Sequence, residues 1–106
     1  MGTFRVIKSD EELEKLIQES GSTLVVVDFF ATWCGPCKMV SPQFEVLCKK
    51  YAASFVKVDV DQLEKSAHKY GVSAMPTFIA FKNGQKVDEV VGASITEVEK
   101  MIGRHL

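Results

Sequence analysis

The sequence has little of what disordered, nucleic-acid-binding or membrane-bound chains need. It holds only three prolines, and its 46% hydrophobic and 25% charged residues are typical of a folded globular protein. Thirteen basic and fourteen acidic residues give a net charge of -1, and the lysines are dispersed rather than clustered in a stripe that would neutralise phosphates. We therefore do not expect nucleic acid as a partner.

Long apolar runs are also missing. No run is long enough to cross a bilayer, and residues 8–15 include six charged side chains where a secretory signal needs an apolar core. We expect no membrane association and a cytoplasmic location, where thiols are kept reduced. A length of 106 residues predicts a single domain spanning 1–106.

Cysteine is scarce, and two of the three cysteines are close together. Cys34 and Cys37 are three positions apart, and Cys48 follows eleven residues later. A tetrahedral zinc site needs about four ligands, and Cys48, His68 and His105 are not spaced to complete one, so no metal is predicted. Cys48 lies on an apolar helical stripe and is predicted to be a buried core residue.

The most informative part of the chain is the junction just before and after the cysteine pair. Seven residues from Leu24, six of them apolar, predict a strand that is buried on both faces. After the cysteines, apolar residues recur at the spacing of an amphipathic helix: Val40, Phe44, Leu47 and Tyr51. The cysteines therefore lie where a strand passes into a helix, an arrangement typical of an active site.

Strand patterns occur at residues 4–7, 24–30, 55–60, 77–81 and 85–91. A helix separates the second from the third, which predicts a parallel, right-handed βαβ unit. The last two flank Asn83-Gly84, a dipeptide preferred in tight turns, and are predicted to pair antiparallel. The expected architecture is an α/β fold with a mixed sheet and helices on both faces.

Capping patterns predict where helices begin: Ser9 with Glu12, Asp61 with Glu64, and Ser94 with Glu97. Gly21 and Gly71 are predicted to end the first and third helices. Pro42 lies inside the second helix and has no amide proton, so we expect it to bend or interrupt that helix.

The spacing of Cys34 and Cys37 is that of a redox-active dithiol. At the exposed start of a helix, the first sulfur lies near unpaired amide protons and the positive end of the helix dipole, which favour a thiolate. We predict that Cys34 is the nucleophile and that Cys37 resolves the mixed disulfide and releases the substrate. Pro36 suits the first helical turn, where its missing donor costs no hydrogen bond.

Asp28 lies within the most apolar stretch of the chain. Burial is expected to raise its pKa, which suits proton transfer near neutral pH, and we predict that it serves Cys37. Lys57, in the adjoining strand, is predicted to face Asp28 and tune its charge. The alternative for Asp28 is a structural role as a buried hydrogen-bonding residue.

With five motifs in order, the chain resembles the thioredoxin family from end to end: Asp28, Trp33-Cys34-Gly35-Pro36-Cys37, Lys57, Met75-Pro76-Thr77 and Val91-Gly92-Ala93. The resemblance implies a mixed five-stranded sheet flanked by four helices, in the order βαβαβαββα. It also implies that Pro76 is cis and lies beside the sulfurs. A flat docking surface would then pair with extended substrate backbone, and its residues would be Trp33, Ala74, Met75, Pro76, Gly92 and Ala93.

The resemblance further implies a protein-disulfide reductase in which Cys34 and Cys37 form a redox-active disulfide. No cofactor would be bound, and a thioredoxin reductase using NADPH would re-reduce the pair. Expected partners are this reductase and disulfide-containing proteins such as peroxiredoxins, and the chain is expected to be a monomer. Gly35-Pro36 is similar to the reductant members of the family. The alternatives are a net oxidase or isomerase on the same fold, or a non-catalytic, partner-binding subunit.

Overall fold

The computed structural model describes all residues, Met1–Leu106, as five strands and four helices. The strands are β1 (Thr3–Val6), β2 (Val25–Phe30), β3 (Ser54–Asp59), β4 (Thr77–Lys82) and β5 (Gln85–Val91). The helices are α1 (Asp10–Glu19), α2 (Gly35–Lys50), α3 (Glu64–Lys69) and α4 (Ile95–His105). The predicted fold class and the order βαβαβαββα are confirmed. No helix combines the length and hydropathy that crossing a membrane requires.

The sheet has the strand order β1-β3-β2-β4-β5, which places β2 at its centre. Strand β3 pairs parallel with both β1 and β2, whereas β4 pairs antiparallel with β2 and β5. A central strand covered by helices has both faces buried, which explains the almost unbroken apolar run before the cysteines. The parallel pairing of β2 with β3 and the antiparallel pairing of β4 with β5 agree with the sequence prediction.

Two apolar clusters lie on opposite faces of this sheet. The first includes Leu13 and Ile17 of α1 together with alternate β2 residues such as Val27. The second includes Phe44 of α2 and Met101 of α4, and it also contains Cys48, which is buried as predicted. Because side chains alternate along a strand, Asp28 points to the face covered by α2 and α4. The active-site helix therefore packs over the carboxyl group.

Two of the three predicted helix caps are present. The amide of Glu12 donates to Ser9 Oγ over 3.1 Å, and the amide of Glu97 donates to Ser94 Oγ over 3.3 Å. The carboxylate of Glu12 accepts from the Lys8 amide instead of the Ser9 amide, at 2.7 Å. The caps at α1 and α4 thus follow from residues that are adjacent in sequence.

The predicted cap at Asp61 is wrong. Helix α3 begins at Glu64 without a side-chain cap from its own N-cap residue, Leu63. Asp10 of α1 instead accepts from the Ser66 amide at 2.8 Å and from Ser66 Oγ at 2.6 Å. A distant helix supplies the acceptor, because packing of α1 against α3 brings Asp10 to the open amides of the first turn.

Helix α2 continues through Pro42, so of the two predicted outcomes, a bend or an interruption, the interruption does not occur. Proline removes one amide donor from the helix, but the buried residues on both sides, Val40 and Phe44, keep their places in the second cluster. Packing of this face against the sheet therefore holds the helix together across the missing hydrogen bond.

Candidate active site

Cys34 and Cys37 form a disulfide at the N-terminus of α2, as the resemblance implies. Cys34 is the N-cap residue, and its Sγ accepts a hydrogen bond from the Cys37 amide over 3.2 Å. Gly35 and Pro36 form the first turn between them, where the missing proline donor leaves no acceptor unpaired. A charged Cys34 sulfur would thus face an amide proton and the positive end of the helix dipole.

Cys34 is less exposed than the sequence suggests. We expected Cys34 at an exposed helix end, but the residue is only 6% exposed, against 3% for Cys37. Its neighbours in sequence form the surface instead, since Trp33 is 68% exposed and Gly35 and Pro36 are exposed as well. The chain around Met75 packs beside Cys34 and contributes to its burial.

The loop that holds Pro76 lies beside the disulfide. The Met75–Pro76 peptide bond is cis, and the Met75 carbonyl oxygen lies 3.7 Å from Cys34 Sγ. Thr77 Oγ1 donates to the Ala74 carbonyl over 2.6 Å and thereby ties the two ends of the loop together. Pro76 itself is buried, so it contributes to the position of Met75 and not to the exposed surface.

The turn after β5 holds the last two residues of the predicted docking surface, Gly92 and Ala93. The Gly92 amide donates to the Pro76 carbonyl over 2.9 Å, which joins this turn to the cis-proline loop. Gly92 has φ of +106°, a conformation that side chains disfavour, and an added Cβ would find no atom within 4 Å. Ala93 and Pro36 line one shallow cleft of about 170 Å³ with Met39. The structure therefore joins this turn to the loop that lies beside Cys34.

Asp61, which the sequence assigned to a helix cap, belongs to this region. Trp33 Nε1–H donates to Asp61 Oδ2 over 3.0 Å, and the Asp61 amide donates to Asp59 Oδ1 over 2.9 Å. The position of the two residues in the sequence could have indicated this contact. Trp33 follows β2 and Asp61 follows β3, and because these strands are parallel neighbours, the residues after them lie at the same edge of the sheet.

Asp28 is completely buried, and neither of its carboxylate oxygens has a hydrogen-bond partner. Burial raises the pKa of this carboxyl group, and the positive charge of Lys57 opposes the shift, with a net value of about 7. The direction is the one predicted from the apolar stretch. No protein group donates a hydrogen bond to either oxygen, so the alternative of a residue that is hydrogen-bonded to the protein is not seen.

Lys57 is the register partner of Asp28 on β3, as predicted, but its ammonium group is bound elsewhere. Lys57 Nζ donates to Ser41 Oγ over 2.7 Å and lies 4.4 Å from the centroid of the Phe30 ring. Sequence reasoning did not identify Ser41. The signal for it is the helical repeat, since Ser41 is four residues after Cys37 and so lies on the same side of α2.

A cleft of about 420 Å³ opens beside the second cysteine, and its lining includes Cys37, Lys38, Ser41 and Lys57. Asp28 does not line this cleft. The cleft gives solvent a route to the Cys37 side of the disulfide. No group of three or more His, Cys, Asp or Glu side chains is arranged to hold a metal ion.

Comparison with known proteins agrees with this geometry. The Thioredoxin family model matches residues 4–104. Thioredoxin-1 of Schizosaccharomyces pombe is 55% identical over 84 residues, which cover 78% of this chain and 82% of that protein. A reduced Schistosoma mansoni thioredoxin pre-protein is 58% identical with a TM-score of 0.97, over 99% of this chain and 100% of that chain. Fasciola hepatica thioredoxin is 50% identical with a TM-score of 0.93, over 96% and 99% of the two chains.

Proposed function

The chain belongs to the thioredoxin family, and from this premise we propose that Cys34 is the attacking thiol and Cys37 the resolving thiol. Its activity is that of a protein-disulfide oxidoreductase, which reduces substrate disulfides by exchange with the Cys34–Cys37 dithiol. The observation that carries the assignment of roles is the position of Cys34 as N-cap of α2, where its sulfur accepts from the Cys37 amide. An ionised sulfur is favoured there by the amide proton and the helix dipole.

The reaction has two exchange steps. In the first, the Cys34 thiolate attacks one sulfur of the substrate disulfide, forms a mixed disulfide and expels one substrate thiolate. In the second, Cys37 loses its proton and attacks Cys34 Sγ, which forms the intramolecular disulfide and expels the second substrate thiolate. Two electrons pass from the dithiol to the substrate, whose sulfurs leave as thiols after protonation.

Asp28 accepts the proton of Cys37 in the second step, and Lys57 tunes how readily it does so. The support for this role is a pKa of about 7, at which a carboxyl group can take and release a proton near neutral pH. The absence of any protein hydrogen-bond donor to Asp28 also supports it, because a buried carboxylate that holds two parts of a fold together is normally paired with protein groups.

Substrate docks on the surface formed around Cys34 by Trp33, Ala74, Met75, Gly92 and Ala93, with buried Pro76 holding Met75 in place. An extended substrate segment pairs with the Met75 backbone next to the sulfur, in the manner of an added strand. The 3.7 Å separation of the Met75 carbonyl oxygen from Cys34 Sγ supports this geometry. Open space above Gly92 supports close approach of the substrate backbone.

Residues 1–106 act as a single, monomeric domain in the cytoplasm and bind no cofactor of their own. Electrons reach the disulfide from NADPH through a separate thioredoxin reductase, and disulfide-containing proteins such as peroxiredoxins receive them. Family membership supports this electron path, and the two clusters on one shared sheet support a single domain. A reducing compartment suits a dithiol that must be returned to its reduced state.

The roles of the two cysteines are tested by trapping the intermediate. Cys37→Ser is expected to accumulate a mixed disulfide between Cys34 and a disulfide-containing protein, visible by mass spectrometry and reversed by dithiothreitol. Wild-type chain with NADPH and a thioredoxin reductase is expected to reduce the same protein catalytically. A mixed disulfide on Cys37 in the reciprocal Cys34→Ser variant would reverse the assignment. A reduction potential above that of the cytosolic glutathione pool would instead favour an oxidase.

A further inference from the structure

The Lys57 ammonium group has two candidate partners, and it is bound to the uncharged one. Lys57 and Asp28 are directly opposite in the parallel register of β2 and β3, so both side chains lie on the face covered by α2. The ammonium nevertheless donates to Ser41 Oγ over 2.7 Å and lies 4.4 Å from the Phe30 ring centroid. Both Asp28 oxygens are left without a hydrogen bond.

A buried carboxylate attracts an ammonium group more strongly than a neutral hydroxyl does, because the interaction of opposite charges strengthens in a low dielectric. While Asp28 is ionised, Lys57 therefore stays away from it only if other contacts hold the ammonium group. The Phe30 ring supplies a cation–π contact, and Ser41 supplies the hydrogen bond. Ser41 is well suited to this, because it is fixed on a continuous helix that packs over the sheet.

We propose that Ser41 is a positioning residue that holds the Lys57 ammonium against the Phe30 ring and away from the Asp28 carboxyl group. The inference rests on the proposed proton-transfer role of Asp28 and extends it to a residue on the helix that also carries both cysteines. Helix α2 then serves two purposes. It presents Cys34 and Cys37, and it sets the distance between the two charges beneath them.

The titratable groups around Asp28 are few, which makes the effect of Ser41 measurable. Strand β3 contributes Lys57, the register partner of Asp28, whereas the α2 residues Cys37 and Lys38 line a cleft that Asp28 does not reach. Strand β4, on the other side, places Phe78 opposite Asp28 and contributes no charge there. In the oxidised protein Cys37 is held in the disulfide and does not titrate, so Lys57 is the charged group that acts on the Asp28 carboxyl group.

Removal of the hydroxyl is expected to release Lys57 toward Asp28. A cation that comes within a few ångströms of a carboxyl group lowers its pKa by about 1 to 3 units. In oxidised Ser41→Ala protein, the Asp28 carboxyl ¹³C resonance is therefore expected to titrate about 1 pH unit lower than in the wild type. Alanine favours the helix, so the change is expected to preserve α2, and far-ultraviolet circular dichroism checks this.

Two further substitutions separate the hydroxyl from the shape of the side chain. In Ser41→Thr, which keeps a hydroxyl, the Asp28 midpoint is expected to stay within about 0.3 pH units of the wild type. Valine has nearly the same shape as threonine but no hydroxyl, so in Ser41→Val the Asp28 midpoint is expected to shift as in Ser41→Ala. Ser22→Ala makes the same chemical change at an exposed turn residue and is the control. An unchanged or raised midpoint in both Ser41→Ala and Ser41→Val, or equal midpoints for Ser41→Thr and Ser41→Val, would overturn the proposal.

A second experiment tests whether Ser41 acts through Lys57. In a Lys57→Met background, Ser41→Ala is expected to leave the Asp28 midpoint unchanged, and a shift equal to that in the wild-type background would rule out the mechanism. These titrations measure the Asp28 carboxyl group directly and do not require the protein to reduce a substrate. Failure of the proton-transfer role would appear separately, as a normal rate of disulfide reduction by Asp28→Asn, whatever the titrations show.

Discussion

Asp28 in the central strand and Asp88 on the edge strand have the same carboxyl group but hold their protons very differently. Burial raises the pKa of Asp28 to about 7, and the charge of Lys57 offsets only part of the shift. Partial burial also opposes ionisation at Asp88, but hydrogen bonds from Arg104, His105 and the Glu89 amide, with the charge of Arg104, outweigh it and lower the pKa to about 2.

The surroundings of Asp88 are those of a structural contact. Its Oδ2 accepts from Arg104 Nη2 over 2.8 Å and lies 2.9 Å from His105 Nε2. Lys82 Nζ adds a hydrogen bond of 2.7 Å to the His105 carbonyl, so the end of α4 is tied to β4 and β5. We call Asp88, Arg104, His105 and Lys82 the C-terminal clasp.

The comparison shows how a carboxyl group whose ionisation stabilises the fold differs from one whose ionisation destabilises it. Asp88 is paired, and its charge favours the folded state. Asp28 is unpaired, and its charge disfavours the folded state, so stability alone does not account for an aspartate at this position. Substitutions near the disulfide are therefore expected to affect turnover, whereas those in the C-terminal clasp are expected to affect stability.

The largest expected effect is the loss of disulfide reduction in Cys34→Ser. Removal of the attacking sulfur is expected to lower the NADPH-coupled rate by about 1,000-fold or more. Cys48→Ser makes the same atomic change in the same helix, but in the buried cluster. This control is expected to keep its activity and to lose about 1 kcal/mol of stability from burial of a hydroxyl. Substantial turnover by Cys34→Ser would contradict the assigned nucleophile.

The second effect is on the pH dependence of stability. Asp28 stays protonated in the folded state up to about pH 7 but loses its proton near pH 4 in the unfolded chain, so the unfolded state binds fewer protons between these values. The free energy of unfolding therefore falls as pH rises from about 4 to 7, by about 4 kcal/mol in total. Asp28→Asn is expected to lack this contribution.

Urea unfolding of the wild type and Asp28→Asn at pH 4, 5.5 and 8 measures the difference directly. All other titrating groups are common to both proteins, so they cancel in the comparison. A difference in unfolding free energy that does not change with pH would show that Asp28 is already ionised in the folded protein.

At Asp88, the free energy of unfolding is expected to change with pH in the opposite direction. Its pKa is depressed in the folded state, so its stabilising effect is present above about pH 4 and is lost as pH falls toward 2. Asp88→Asn is expected to lower stability at pH 7 by about 1 kcal/mol, after allowance for solvent screening, and to leave the rate of disulfide reduction unchanged. Urea unfolding at pH 7 and pH 2 measures this.

Glu89→Gln is the control, since Glu89 pairs with Lys86 alone at an exposed site and is expected to change stability by less than about 0.5 kcal/mol. Equal losses in Asp88→Asn and Glu89→Gln would mean that the C-terminal clasp contributes no more than an ordinary surface charge pair.

The smallest effect is expected at Asp61. Loss of its hydrogen bond to Trp33 frees an indole that is 68% exposed, so stability is expected to stay unchanged while substrate docking weakens. Asp61→Ala is expected to lower kcat/KM by about twofold, the equivalent of a weak hydrogen bond, and Asp61→Asn, which keeps an acceptor, is expected to lower it less. Steady-state reduction of a disulfide-containing protein compares the two, and equal values would rule out a role for the hydrogen bond.

Features that depend on neighbouring residues were predictable. The Ser9 and Ser94 caps, the five strand patterns and the hairpin at Asn83-Gly84 are all present, and both turn residues have positive φ, 55° and 76°. Such features follow from backbone geometry over a few residues, and no distant contact overrides them here. The spacing of Cys34 and Cys37 belongs to the same group, because a helix start brings residues three apart together.

Predictions failed where a distant residue competes with a near one. Asp10 of α1 replaces the expected cap on α3, and Asp61 binds Trp33 instead of capping that helix. Cys34 is less exposed than a free helix end would make it, because the chain around Met75, 41 residues away, packs beside it. The pattern of neighbouring residues in the sequence does not show which distant residues will come into contact.

By itself, the sequence determined the order of elements, the position of the cysteine pair and the burial of Asp28, since each depends on patterns within one segment. Only the tertiary structure decided what surrounds Asp28, because β2, β3 and α2 meet there from separate parts of the chain. The energy of a buried charge depends on distances of a few ångströms to other charges and dipoles. Those distances exist only after the sheet has paired and the helix has packed over it.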